Sequence, residues 1–187
     1  MIRPLSTIVL AGFLAAGLVA APVAAQTLPE AFSTGPAISG HGPVAPQPAD
    51  AFNLVPGEKY RVLFDVAFGS RDEHALNRRL ESVARFVNLH ARAGIDPKDV
   101  EIEVVTHGGT TFDVLSRDAY RKRFDVDHPN ADLLAALQAA GVTVYLCGQS
   151  ASAQGVAPDE LAPGVKLAQS AMTVLVRRQS EGWVLLP

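Results

Sequence analysis

Residues 142–151 run VTVYLCGQSA, and Cys147 within them is the single cysteine of the 187-residue chain. One thiol cannot close an internal disulfide, so any chemistry it performs is that of a nucleophile or a carrier. The reactive form is the thiolate. A cysteine just ahead of a helix meets unpaired backbone N–H groups and the positive end of the helix dipole, which bring a thiol from about 8.5 into the range of roughly 3.5–7.5. Ser150 or Ser152 is placed to cap such a helix. Against this, most free cysteines are small buried hydrophobes, and the apolar VTVYL before Cys147 suits burial. The sequence leaves both readings of the thiol open.

His107, in VVTHGGT, is the candidate partner, able to activate the thiol as an ion pair or as a general base. The plainer reading is an imidazole that hydrogen-bonds its own loop. His74 is a weaker third member, and the spacing of Cys147, His107 and His74 supports no metal site. His41, between glycines, reads as solvated, and His90 as a packed or partly exposed helix histidine. Neither GxGxxG nor GxxxxGK[ST] is present, so no nucleotide cofactor is expected, and no G-x-S-x-G elbow supports hydrolysis.

These residues need elements to hold them together, and from residue 58 onward strand and helix signals alternate. YRVLFDVAF (60–68) is a buried-strand run ending at Gly69, and Ser70 to Glu73 has the S-x-x-E form of a capping box. The helix expected next stacks Leu76, Leu80, Val83, Val87 and Ala91 on one stripe and stops at Gly94. VEIEVVT (100–106) predicts a second strand, residues 110–123 one or two short helices, and Asn130 a stronger helix with Leu133, Leu134 and Leu137 inward. VTVYL (142–146) is the third strand and GVKL (164–167) a short fourth. QSAMTVLVRRQS (169–180) is assigned helix because Gly182 can end it and WVLLP (183–187) then supplies a fifth strand. The pattern predicts an α/β fold: a three-layer α/β/α arrangement around a five-stranded, mostly parallel sheet.

A parallel sheet points all its strand C-termini one way. The glycine-bearing ends Gly69–Ser70, Gly108–Gly109 and Gly148–Gln149–Ser150 then gather along one edge, where open α/β sheets bind ligands and glycine admits close backbone approach. Gly69, Ser70, Gly108, Gly109, Gly148, Gln149 and Ser150 are the expected ligand-binding residues.

The beginning of the chain is different in kind. Arg3, the apolar run 7–20 and the small residues Val23-Ala24-Ala25 have the form of an export signal, so residues 1–25 are expected to be removed and the protein to be periplasmic or secreted. The run is short for a membrane span, and no membrane association is expected after cleavage. Losing Arg3 takes the formal charge from −3 to −4, a balance that argues against nucleic-acid binding. Residues 26–57, rich in Pro, Gly and Ala, read as an extended arm that packs, if at all, through Phe32, Ile38, Phe52 and Leu54.

From about residue 58 the chain resembles the DsrE/DsrF-like family of sulfur-relay proteins, and within it a small exported branch. The stretches that carry the resemblance are LFDVAF (63–68), VNLHARAGI (87–95), VVTHGGTTFDVL (104–115), HPNADLLAALQAAGVTVYLCGQSA (128–151), LAPGVKLAQSAMT (161–173) and GWVLLP (182–187). The resemblance implies the same three-layer fold, assembly into homotrimers or hexamers, and a persulfide-carrying cysteine after a central strand, the position that Cys147 holds. It implies a protein sulfur donor or acceptor as partner. The CGQSA wording belongs to the exported branch, whose members would not meet the cytoplasmic partners of the relay proteins. Two functions are therefore expected: a sulfur-handling or thiol-redox protein using Cys147 and His107, or a non-catalytic module that binds a small ligand or partner and keeps Cys147 as a packing residue.

Overall fold

The computed structural model describes residues 29–70 and 72–187. The expected export signal, 1–25, lies outside them. Among the described residues no helix is long and apolar enough to cross a membrane.

The five strands are β1 (Tyr60–Val66), β2 (Val100–Thr106), β3 (Thr143–Cys147), β4 (Lys166–Ala168) and β5 (Val184–Leu186). All pair in parallel, in the order β4-β3-β2-β1-β5. The helices are α1 (Arg78–Arg92), α2 (Arg117–Phe124), α3 (Ala131–Ala139), α4 (Gly148–Ala153) and α5 (Ala171–Ser180). Between β1 and β4 the chain steps in one direction, which keeps right-handed crossovers on one face. Leu80, Val83, Leu133, Leu137 and Ala151, from α1, α3 and α4, accordingly join Val62, Phe64, Val104 and Leu146 in the main core. The step to β5 reverses direction across the sheet, so α5 lies on the other face, over a smaller cluster of Leu63, Val105, Cys147, Ala171 and Trp183.

Most boundaries agree with the sequence pattern, and the differences have local causes. Helix α1 does not start from a Ser70–Glu73 capping box. Ser70 and Asp72 instead accept from the N–H groups of Asp72 and His74, two successive turns, and Asn77 caps the helix by accepting from Arg79 and Leu80. Strand β1 ends at Val66 because the chain then leaves the ladder, Ala67 accepting from the Gly109 N–H instead. Strand β3 extends to Cys147, which pairs in register with Ala168. Ser170 and Thr173 form a reciprocal cap that fixes residues 171–180 as helix rather than strand.

The Pro/Gly-rich arm is more built than its composition suggests. Of the four apolar residues expected to pack, Ile38 is buried while Phe32 and Phe52 are exposed. Val44 joins Ile38 in burial. What holds the segment is polar: the Asn88 side chain accepts from the Ile38 N–H and donates to the carbonyls of Ile38, His41 and Gly42. Arg92 donates to the carbonyls of Ser33, Gly35 and Val44. Two side chains on α1 thus satisfy the carbonyls of a loop whose own pairing is a single antiparallel bridge, Ser33 with Val44.

Candidate functional site

Strands β3 and β4 are neighbours, yet the helices that follow them leave on opposite faces, α4 into the main core and α5 onto the smaller one. Such a divergence at the carboxyl ends of adjacent parallel strands opens the crevice where doubly wound sheets bind ligands. Cys147 stands at that point.

Its side chain is 4% exposed, so the thiol is recessed rather than freely open. Burial pushes the thiol pKa up, but the Ser150 N–H, the Ala171 N–H, the Ser150 hydroxyl and the Gln149 N–H all favour the anion, and their sum holds Cys147 below the ordinary thiol value. The donors come from the starts of two helices, α4 and α5. The expectation that Ser150 or Ser152 caps α4 is not met, since Cys147 is the N-cap and no side chain caps the helix. The Ser150 oxygen accepts from the Gly108 N–H at 3.1 Å, and its hydroxyl is among the groups that favour the thiolate.

His107 follows β2. Thr106 pairs with Leu146, so the register carried one residue further sets His107 beside Cys147, both on the α5 side of the sheet. The ring does not simply bond its own loop: Nε2 lies 2.7 Å from Asp65 Oδ1 on β1, with both side chains about a quarter exposed. Asp65 was hidden in the sequence as one acid in an apolar strand. A carboxylate in the middle of YRVLFDVAF needs a partner, and that need is the signal that points to it.

The glycines expected to contact a ligand have packing duties as well. A β-carbon at Gly69 would stand 2.6 Å from the Gly109 carbonyl oxygen and 2.8 Å from the Asp113 carboxylate. Gly108 has φ +58°, and its carbonyl accepts from Gln154, which ties the β2 loop to α4. Gly109 donates to the Ala67 carbonyl, and Gly148 faces the β4–α5 turn. Ser70 and Gln149 are exposed, with Gln149 donating to the Gln169 carbonyl. The structure thus gathers the ends of β1, β2 and β3 as the sequence implied. His74 is exposed, and among the described residues no group of three or more His, Cys, Asp or Glu could hold a metal ion.

Behind this edge lies a polar ring that sequence reasoning missed. Asp113 is buried and accepts from Asn77 Nδ2 at 2.6 Å and Asn130 Nδ2 at 3.0 Å, while the Asn77 N–H donates to Asn130 Oδ1 at 2.7 Å. Burial raises the Asp113 carboxyl to about 6, against the Asn77 hydrogen bond, which lowers it. The ring fastens the start of α1, the loop after β2 and the start of α3, which frame the crevice from behind.

A sequence model of the DsrE/DsrF-like family matches residues 59–187. No curated protein matches the chain. Among solved structures, a protein of unknown function from Methanobacterium thermoautotrophicum, MTH1491, is 28% identical over 68% of this chain and 98% of its own, with a TM-score of 0.53. The ychN protein from E. coli is 12% identical over 67% of this chain and 96% of its own, with a TM-score of 0.47.

Proposed function

The chain belongs to the DsrE/DsrF-like family, and from that premise we propose that it is an exported sulfur-handling protein in which Cys147 carries sulfane sulfur as a persulfide. The observation that carries this reading is one recessed thiol at the carboxyl end of β3, at the sheet's divergence point and at the N-cap of α4, held below the ordinary thiol value by its surroundings. Thiolate and persulfide anions are both stabilised by such surroundings.

In the forward step the Cys147 thiolate attacks the terminal sulfur of a donor persulfide R–S–SH. The bond from R–S to that sulfur breaks and the bond from Sγ to it forms. R–S leaves with the electron pair and takes up the proton that Cys147 gave, with His107 as the relay. One thiol and one persulfide become one persulfide and one thiol, with no net oxidation. Handing the sulfur to an acceptor thiol reverses the step. Recession of the thiol in an oxidising compartment protects it from drift to sulfenic acid. The donor and acceptor are taken to be proteins, and the chain to act as a homotrimer or hexamer.

The experiment is intact-mass measurement of the native protein after treatment with a persulfide donor, beside Cys147→Ser. The expected result is a gain of one sulfur atom in the wild type, removed by a thiol reductant and missing from the variant. A wild type that gains no sulfur overturns the carrier reading. The deep burial of Cys147 favours a second reading, a binding module in which the cysteine only packs. A thiol that labels only in the unfolded protein is its signature.

A further inference from the structure

The three strand ends carry a row of chemistry-bearing side chains on the α5 side of the sheet: Asp65 on β1, His107 after β2 and Cys147 at the end of β3. We propose that Asp65 is a positioning residue for this site: it fixes the His107 imidazole so that Nδ1 is the nitrogen that takes and returns the proton of Cys147. The proposal rests on the sulfur-carrier reading for its chemical purpose, and on geometry for its content.

A carboxylate only accepts, so the 2.7 Å contact between Asp65 Oδ1 and His107 Nε2 places the ring proton on Nε2. Nδ1 is then the basic nitrogen of the neutral ring. The carboxylate also stabilises the imidazolium that exists while His107 holds the thiol's proton, the role an acid plays behind a histidine in acyl-transfer triads. A purely structural clip between β1 and β2 is a poor explanation of the pair. Seven register pairs and the bond from the His107 N–H to the Val66 carbonyl already join these strands. Both side chains are also partly open to solvent, where an ion pair adds little stability.

Among the described residues, Asp65 on β1 bonds the His107 ring, the β2–β3 register carried one residue past Thr106 and Leu146 sets Cys147 alongside it, and Ser150 on α4 accepts from the N–H of the next residue, Gly108. The charged group that α5 sends toward this face of β2 is Arg178, taken up by both oxygens of Glu103 at 2.7 Å, further down the strand. Asp65 is the acid against the ring, so its loss has a readable electrostatic effect.

The test is nitrogen-15 NMR of the His107 ring in the full chain, paired with the pH dependence of Cys147 alkylation, for wild type, Asp65→Ala and Asp65→Asn. The wild type is expected to hold its proton on Nε2. Asp65→Ala should release that tautomer and slow alkylation at neutral pH by about tenfold. Asp65→Asn still accepts from Nε2–H, so it should keep the tautomer while losing the effect of charge. It also serves should the alanine variant fail to fold. The proposal is overturned if either variant folds with its tautomer and alkylation profile both unchanged. Sulfur loading is scored separately by mass: a wild-type thiol that never takes sulfur ends the carrier reading, while the ring tautomer still decides the role of Asp65.

Discussion

Gly148 lies against the main chain of Ala168 so closely that a β-carbon at 148 would stand 2.7 Å from the Ala168 carbonyl oxygen and 3.3 Å from that of Gln169. Both neighbours are backbone and cannot swing aside. The approach keeps the first turn of α4 near the first turn of α5, so that N–H groups from both reach Cys147. Gly148→Ala should therefore destabilise the fold by about 1–3 kcal/mol, as overpacking does. It should also raise the pH midpoint of Cys147 alkylation, because the two helix starts are pushed apart. Denaturation and alkylation curves on one preparation check both; a fully stable variant with an unmoved thiol would contradict the packing role.

Ser150 accepts from the Gly108 N–H, and its hydroxyl is among the groups that favour the Cys147 thiolate. Ser150→Ala removes the hydroxyl and leaves the backbone N–H groups in place. The thiol midpoint should rise, because one of the groups that favour the thiolate is lost. A midpoint unchanged by the substitution would show that the backbone donors alone set it. Ser152→Ala, at an exposed position, is the matched control and should change nothing.

The fold was legible because β-branched runs, terminal glycines and the 3.6 period of α1 all agreed, and even the ambiguous TVLV segment was settled by Gly182, which can end a helix there. The site was half legible. Cys147, His107 and the glycine-bearing strand ends sit at positions that a parallel sheet must bring to one edge. Asp65, Asn77, Asp113 and Asn130 were not found, because their roles depend on which loops meet, and local spacing carries no trace of that. The arm misled for a related reason: its order comes from Asn88 and Arg92 on a distant helix, whereas composition reports only its lack of a period.

The polar ring makes a pH prediction with opposing parts. Asp113 is raised from 3.8 to about 6 in the fold, so its contribution is fully present below 3.8 and is lost as pH rises through about 6. His128, lowered from 6.5 to about 4 by burial, contributes above 6.5 and loses that contribution as pH falls through about 4. The windows overlap and the signs oppose, so the two nearly cancel in the wild type. His128→Asn should unmask Asp113. Denaturant unfolding from pH 7.5 to 4.5 should then show stability rising on acidification, by about 3 kcal/mol at most. A variant whose profile parallels the wild type would refute the opposition.

Glu103 is buried on β2, and both its oxygens accept from Arg178 on α5 at 2.7 Å. The carboxylate raises the Arg178 pKa further, so the guanidinium stays charged. Deleting one partner strands a buried charge, and Arg178→Met should cost about 3–5 kcal/mol. Replacing both with methionine removes the charge and the desolvation penalty together, and should recover most of the loss. A double-mutant cycle by denaturant unfolding measures the recovery; additive losses would mean that the two residues act independently.

Helix α5 covers its face of the sheet and turns Met172 and Val176, one helical turn apart, outward at 70% and 66% exposure. Ala171, immediately before Met172, is buried in the same cluster as Cys147, so this stripe begins beside the helix start that borders the thiol. If a second copy of the chain covers it, as the proposed homotrimer or hexamer requires, a charge there should split the assembly while leaving each subunit folded, since neither side chain belongs to the core. The expected result for Met172→Glu with Val176→Glu is a smaller species by light scattering, an unchanged far-ultraviolet dichroism spectrum and faster alkylation of Cys147. An oligomer of unaltered size in the double variant would move the interface elsewhere, and a monomeric wild type at micromolar concentration would end the assembly proposal. Faster alkylation without dissociation would instead mark the stripe as a cover supplied by the chain's own subunit.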